Sequence, residues 1–184
     1  MIIGITGTLG AGKGTVVEYL KQKGFTHYSV RDFLVKEIEL RGMEKNRDNM
    51  LAVANDLRAT HGPHHIAEQL VGHAKANMQV SQNAVIESIR SIGEAEHLQE
   101  HGALLWAVDA PVELRYERIT KRASITDQVS FDKFKADEAA EFANTDASKP
   151  NLKALIERAD KVFINNGTQE ELFAQVEEAL QKSA

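Results

Sequence analysis

The chain has 184 residues, 42% of them hydrophobic and 27% charged, an ordinary composition for one globular domain. Lys and Arg number 22 against 27 Asp and Glu, and the resulting net charge of -5 lacks the basic footprint of a sequence-independent nucleic-acid binder. There is no cysteine for a disulfide, thiol nucleophile or cysteine zinc site, no apolar run of membrane-span length and no basic leader, so a cytoplasmic protein without membrane partners is expected.

Short apolar runs alternate with longer helical patterns, the signature of an α/β fold. Met1 to Thr6 is the first strand, and its Ile2-Ile3-Gly4-Ile5 run suits burial on both faces. Val16, Val17, Tyr19 and Leu20 form a helical stripe ending at Gly24, and Phe25 to Ser29 is the second strand. From Phe33 to Met78 only helical periodicity appears, broken at Gly42 and at Gly62-Pro63, so helices are inserted before the third strand, Asn83 to Glu87. Ala103 to Val108 is the fourth strand, and Pro111 opens a helix that runs to about Arg122. Ala123 to about Pro150 is polar, with few strong core residues. Lys161 to Ile164 is the fifth strand. Thr168 and Glu171 then have capping-box spacing ahead of Leu172, Val176, Ala179 and Leu180, which share one helical face.

Between the first strand and its helix stands Gly7-Thr8-Leu9-Gly10-Ala11-Gly12-Lys13-Gly14-Thr15. Glycines let backbone N–H groups close round phosphates, a helix N-terminus adds partial positive charge, and a lysine reaches the outer phosphates. All three occur here in the strand–loop–helix order the chemistry needs. Gly14 separates Lys13 from Thr15, whereas the general motif places a hydroxyl directly after the lysine.

Phosphoryl transfer rests on positioning and charge stabilisation, so arginines near that loop are the next signal. Arg90 follows the third strand, where ligands bind in open α/β sheets, and Glu87 ends that strand in a position to hold magnesium-bound water. Arg118 and Arg122 lie four apart on one helix face. Both are also compatible with a solvated face. Asp32, after the second strand, is a helix cap, a general base for a hydroxyl acceptor or an orienting carboxylate. His61, His64, His65 and His73 cluster locally, but Gly62-Pro63 breaks the register a zinc pair would need. Trp106 reads as core.

These residues resemble the P-loop nucleoside monophosphate kinase group, and most closely small archaeal kinase-like proteins related to adenylate kinase and dephospho-coenzyme A kinase. The likeness is carried by Gly7 to Thr15, Ala54-Asn55-Asp56-Leu57-Arg58 with His61-Gly62-Pro63, Ile89-Arg90-Ser91 with Glu94 and Glu96, Arg118 to Arg122, and Asn165-Asn166-Gly167-Thr168. It implies a three-layer α/β/α P-loop NTPase fold with a five-stranded parallel sheet in the order 2-3-1-4-5. It further implies one P-loop kinase domain over 1–184, with a helical acceptor-binding insertion over about 30–78 and a short lid over about 123–150.

The function implied is ATP–Mg2+-dependent transfer of a γ-phosphoryl group to a nucleoside monophosphate, by a monomer or homodimer. A hydroxyl kinase of the dephospho-coenzyme A type and a nucleotide-binding ATPase or switch are the alternatives. Lys13, Arg90, Arg118, Arg122 and Asp32 are the expected catalytic set. Gly7, Gly10, Ala11, Gly12, Lys13, Gly14, Thr15, Arg118, Asn166 and Gly167 are expected on the donor nucleotide. Arg31, Asp32, Arg58, Glu87 and Arg90 are expected on the acceptor, and Thr15 and Glu87 on Mg2+ through water. Three departures bear on the acceptor: Val35 stands where adenylate kinases carry an arginine, Glu87-Ser88 replaces an aspartate-glycine pair, and the lid segment has no arginine.

Overall fold

The computed structural model describes residues 1–77, 83–122, 129–142 and 149–183. Strands β1 (Ile2–Gly7), β2 (Thr26–Ser29), β3 (Ala84–Glu87), β4 (Leu104–Asp109) and β5 (Lys161–Ile164) form one sheet in the order β2-β3-β1-β4-β5. Every pairing is parallel. Each strand lies within a residue of its expected bounds, and the central β1, β3 and β4, buried on both faces, are the apolar runs that sequence marks most clearly.

Alternate residues of the strands face opposite ways, and the core divides accordingly. Ile3, Ile5, Val85, Trp106, Val108 and Phe163 pack under helices α1 (Lys13–Gln22) and α9 (Gln169–Ser183). Ile2, Ala84, Ile86 and Leu105 face α2 (Val30–Leu40), α3 (Arg47–His61), α4 (His65–Asn77), α5 (Ile92–Glu100) and α8 (Leu152–Arg158). Helices therefore cover both faces, as the three-layer expectation required. The helices between β2 and β3 share the core of the sheet. Leu34, Ile38, Val53, Leu57, Ile66 and Leu70 belong to the same apolar cluster as the sheet. Trp106 is 1% exposed and meets Phe163 edge-on at 5.1 Å, which makes it core.

Local chemistry explains the helix ends. Gly42 adopts φ +65 just after α2, and Gly62 ends α3 at φ +104, so both breaks anticipated from sequence occur. Thr168 and Glu171 exchange their side chain–backbone bonds at the start of α9, completing the expected capping box. Asp32 is not the cap of α2. Ser29 holds that place and its hydroxyl accepts from the Asp32 N–H at 3.2 Å, leaving Asp32 exposed in the first turn. Among the described residues no helix is long and apolar enough to cross a membrane. Helices α6 (Val112–Arg122) and α7 (Phe131–Phe142) complete the order. Residues 123–128 and 143–148 of the expected lid lie outside the described residues.

Candidate functional site

Parallel pairing brings the carboxyl ends of β1 to β4 to one edge, and with them Gly7, Ser29, Glu87 and Asp109. The glycine-rich loop turns there between β1 and α1. Gly10, at φ +81, passes so close to α6 that a Cβ would lie 2.5 Å from the Arg115 carbonyl oxygen. Gly12, at φ +101, is the N-cap of α1, and a Cβ there would lie 2.3 Å from Asn165 Nδ2. Gly14 has nothing within 4 Å of such a Cβ, so neither packing nor strain demands a glycine there. No acidic side chain occupies the first turn of α1, leaving its partial positive charge to an anion. Lys13 Nζ donates to the carbonyls of Gly7 and Thr8, both at 2.8 Å.

The loop is braced from behind. Thr8 is buried and its hydroxyl donates to Asp109 Oδ1 at 2.6 Å. Arg115, 4% exposed, donates to Ala110 O at 2.7 Å and Leu9 O at 3.4 Å, and forks onto the Glu138 carboxylate of α7. Asn165 Nδ2 donates to Ala11 O at 2.8 Å.

Across the same edge, Glu87 accepts from His27 Nε2 at 3.0 Å. That hydrogen bond, helped by the charges of His27, Lys13 and Arg90, holds the Glu87 carboxyl below the usual carboxylate range against the opposing effect of burial. Ser88 follows at φ +74, a left-handed conformation, fastened by its N–H to Ile5 O at 3.0 Å. Arg90 is half-buried and its backbone is fixed at both ends. Its N–H donates to Glu94 Oε2 at 2.9 Å, and its carbonyl accepts from the Asn151 N–H at 3.0 Å. Glu94 Oε1 in turn accepts two bonds from Arg58, at 2.7 and 3.2 Å. Arg58 is thus 8% exposed with its guanidinium committed to Glu94.

The α6 arginines divide. Arg118 Nη2 donates to Asn165 Oδ1 at 3.3 Å, while Nη1 is a buried donor with no partner among the described residues. That side chain lines a cleft of about 180 Å³ with Gly12, Thr15, Asn165, Gly167, Gln169 and Leu172. A ligand oxygen or ring nitrogen would satisfy the orphaned donor, so the cleft and loop fit a nucleotide by an observation independent of the motif. Arg122, one turn on, is exposed, as are Asn166, Arg31 and Asp32. The hydroxyl of half-buried Thr15 and the carboxylate of Glu87 are hard oxygen donors, the chemistry Mg2+ takes.

The histidines gather elsewhere. His61 and His65 stack at 4.5 Å, while His64, His97 and His101 form a column at 5.3 and 4.1 Å between ring centres. Burial first, then the charges of His101 and His64, hold His97 below the usual imidazole range. Among the described residues no group of three or more His, Asp or Glu is arranged to hold a metal ion.

His27, Thr8, Asp109, Arg115 and Glu138 were not singled out from sequence. Asn165 was noted only through its loop. Their partners lie 60 residues away for His27 and 154 for Asn165, beyond any local pattern. A signal did exist for Ser29, whose spacing to Asp32 is that of a capping residue and its N3 partner.

A family model described as an AAA domain matches residues 3–144. A UPF0200 protein of Thermococcus gammatolerans is 28% identical, covering 99% of this chain and 95% of its own length. One of Pyrobaculum aerophilum is 30% identical over 89% of this chain and 87% of its own. Among solved structures, Thermus thermophilus TT1252 superposes with a TM-score of 0.63 at 20% identity, covering 100% of this chain and 98% of that one. Shikimate kinase of Aquifex aeolicus gives 0.56 at 16% identity, with 100% and 98% coverage. Dephospho-CoA kinase of Campylobacter jejuni gives 0.54 at 15%, with 98% and 96% coverage. Likeness at these identities establishes a P-loop kinase fold.

Proposed function

The chain belongs to the AAA domain family and to the UPF0200 family, and on that premise we propose that it transfers the γ-phosphoryl group of ATP to a nucleoside monophosphate. The observation that carries the reading is a juxtaposition. Parallel pairing of β1 with β3 sets Ile5 opposite Glu87, so the glycine-rich loop with Lys13 and the segment from Glu87 to Arg90 leave the same edge of the sheet. A phosphate-binding loop beside a second cation is what transfer between two phosphates calls for.

In this reading the loop from Gly7 to Thr15 holds the triphosphate, and Lys13 leaves the carbonyls of Gly7 and Thr8 for the outer phosphates. Arg118 offers Nη1 to the donor nucleotide, beside Asn166 and Gly167. Arg90 holds the acceptor phosphate, and Arg122 closes over the charge that develops in transfer. The bond from the γ-phosphorus to its bridging oxygen breaks as a bond to an acceptor phosphate oxygen forms, yielding two nucleoside diphosphates. An acceptor phosphate is already ionised at neutral pH, so no base is needed. Mg2+, when bound, neutralises charge on the β- and γ-oxygens; Thr15 and Glu87 would hold it through water.

Helices α2 to α4 form the acceptor side, with Arg31 and Asp32 at its exposed entrance. Arg58 serves that side through Glu94 and the Arg90 backbone. Residues 123–150, with α7 held to Arg115 by Glu138, act as the lid. A second reading, a hydroxyl kinase, is favoured by the exposed Asp32 and by Val35 at the adenylate-kinase arginine position. An acceptor screen with ATP–Mg2+, over ribo- and deoxynucleoside monophosphates and dephospho-coenzyme A, tests both. A nucleoside diphosphate product with mild loss in Asp32→Asn supports the first reading. A phosphate ester formed on a hydroxyl acceptor, with near-total loss in that variant, supports the second.

A further inference from the structure

The Asn165 amide makes two bonds on opposite sides: Nδ2 donates to Ala11 O at 2.8 Å and Oδ1 accepts from Arg118 Nη2 at 3.3 Å. A carbonyl on one side and a guanidinium on the other leave one way for the amide to face. Asn165 is itself 8% exposed and is held by its own N–H on Asp109 O at 2.8 Å, so it is fixed to the end of the sheet.

A trans peptide points its C=O and the following N–H in opposite directions. Holding the Ala11 carbonyl therefore turns the Gly12 N–H away from Asn165 and into the turn of the glycine-rich loop. Gly12 lies directly beside the amide, since a Cβ on it would come within 2.3 Å of Nδ2. The same planar group sets the guanidinium of Arg118, a residue that lines the cleft and whose buried Nη1 has no partner among the described residues. Rotating the amide to improve one bond spoils the other.

We propose that Asn165 is a positioning residue that couples the phosphate loop to the cleft, so that occupation of either end prepares the other. The proposal rests on the nucleotide phosphotransferase reading and adds to it a thermodynamic link between the two ends of the donor. Neither end contributes the coupling alone; the shared amide does.

Calorimetric titration of the full chain with tripolyphosphate, with and without saturating adenosine, tests it. Adenosine is expected to tighten tripolyphosphate binding about fivefold or more in the wild type, and reciprocally. Asn165→Ala is expected to weaken tripolyphosphate about tenfold and to abolish the effect of adenosine. A merely structural asparagine would lower the melting temperature while leaving the affinity and coupling of the folded fraction intact, and that result overturns the proposal. Should Asn165→Ala fail to fold, wild-type NMR decides. Tripolyphosphate alone must shift the Asn165 side-chain amide and adenosine alone must shift the Gly12 N–H; silence at either overturns it. A wild type that binds ATP without coupling defeats this proposal only. A wild type that binds neither ATP nor tripolyphosphate defeats the phosphotransferase reading, and this proposal with it.

Discussion

Glu94 binds Arg58 with one carboxylate oxygen and the N–H of Arg90 with the other, so a buried ion pair between α3 and α5 sets the backbone of the proposed acceptor arginine. Glu94 is fully buried and Arg58 nearly so. Removing either partner strands a charge that water cannot reach. Arg58→Ala and Glu94→Ala should each cost about 3–5 kcal/mol in urea unfolding. Arg58→Leu combined with Glu94→Leu should recover much of that loss, because no buried charge then remains.

Arg122 is exposed and its proposed work lies in the transition state. Arg122→Ala should lower turnover by about 10³-fold or more if the arginine stabilises the moving phosphoryl group. Its melting temperature should stay within about 2 °C of wild type, as for a surface substitution. Parallel turnover and melting measurements check it; an unchanged rate removes Arg122 from the mechanism.

Ser88 occupies a left-handed conformation at φ +74 with its N–H bound to Ile5 O. A side chain there costs about 1–2 kcal/mol, which glycine avoids while losing some chain entropy on folding. Ser88→Gly should therefore stabilise the protein by about 0.5–1 kcal/mol, read from the urea midpoint. A loss of stability would mean that the serine side chain contributes more than the strain it causes.

The histidine column gives the fold a pH dependence of definite sign. Burial and the charges of His101 and His64 depress His97, outweighing the opposing charges of Glu68 and Glu100. The folded protein then binds this proton less well than the unfolded chain. Its contribution is complete above the ordinary imidazole value and is lost as pH falls towards the depressed one. Urea midpoints should fall between roughly pH 7 and 5, and less steeply in His97→Gln. An equal slope in both proteins would place the titration elsewhere.

What sequence revealed and what it withheld divides by distance along the chain. The loop from Gly7 to Thr15 was legible because its glycines, lysine, strand and helix are all local. The central strands β1, β3 and β4 were legible because burial on both faces leaves an uninterrupted apolar run. Arg115 looked like one more residue of a charged helix beside Arg118. Its burial depends on Leu9, 106 residues away, and on Glu138, 23 residues on. Arg58 read as an acceptor ligand because nothing local reveals that Glu94, 36 residues away, takes its guanidinium. His27 and Glu87 pair across neighbouring strands 60 residues apart, a contact that follows from sheet order rather than from either segment.

The most direct test is phosphorus NMR of ATP–Mg2+ incubated with the pure chain, with and without each nucleoside monophosphate. We expect ATP to be consumed only when an acceptor is present, giving equal amounts of ADP and the acceptor diphosphate, with Lys13→Ala inactive. Hydrolysis at the same rate with and without every acceptor, or no binding of ATP at all, would contradict the account.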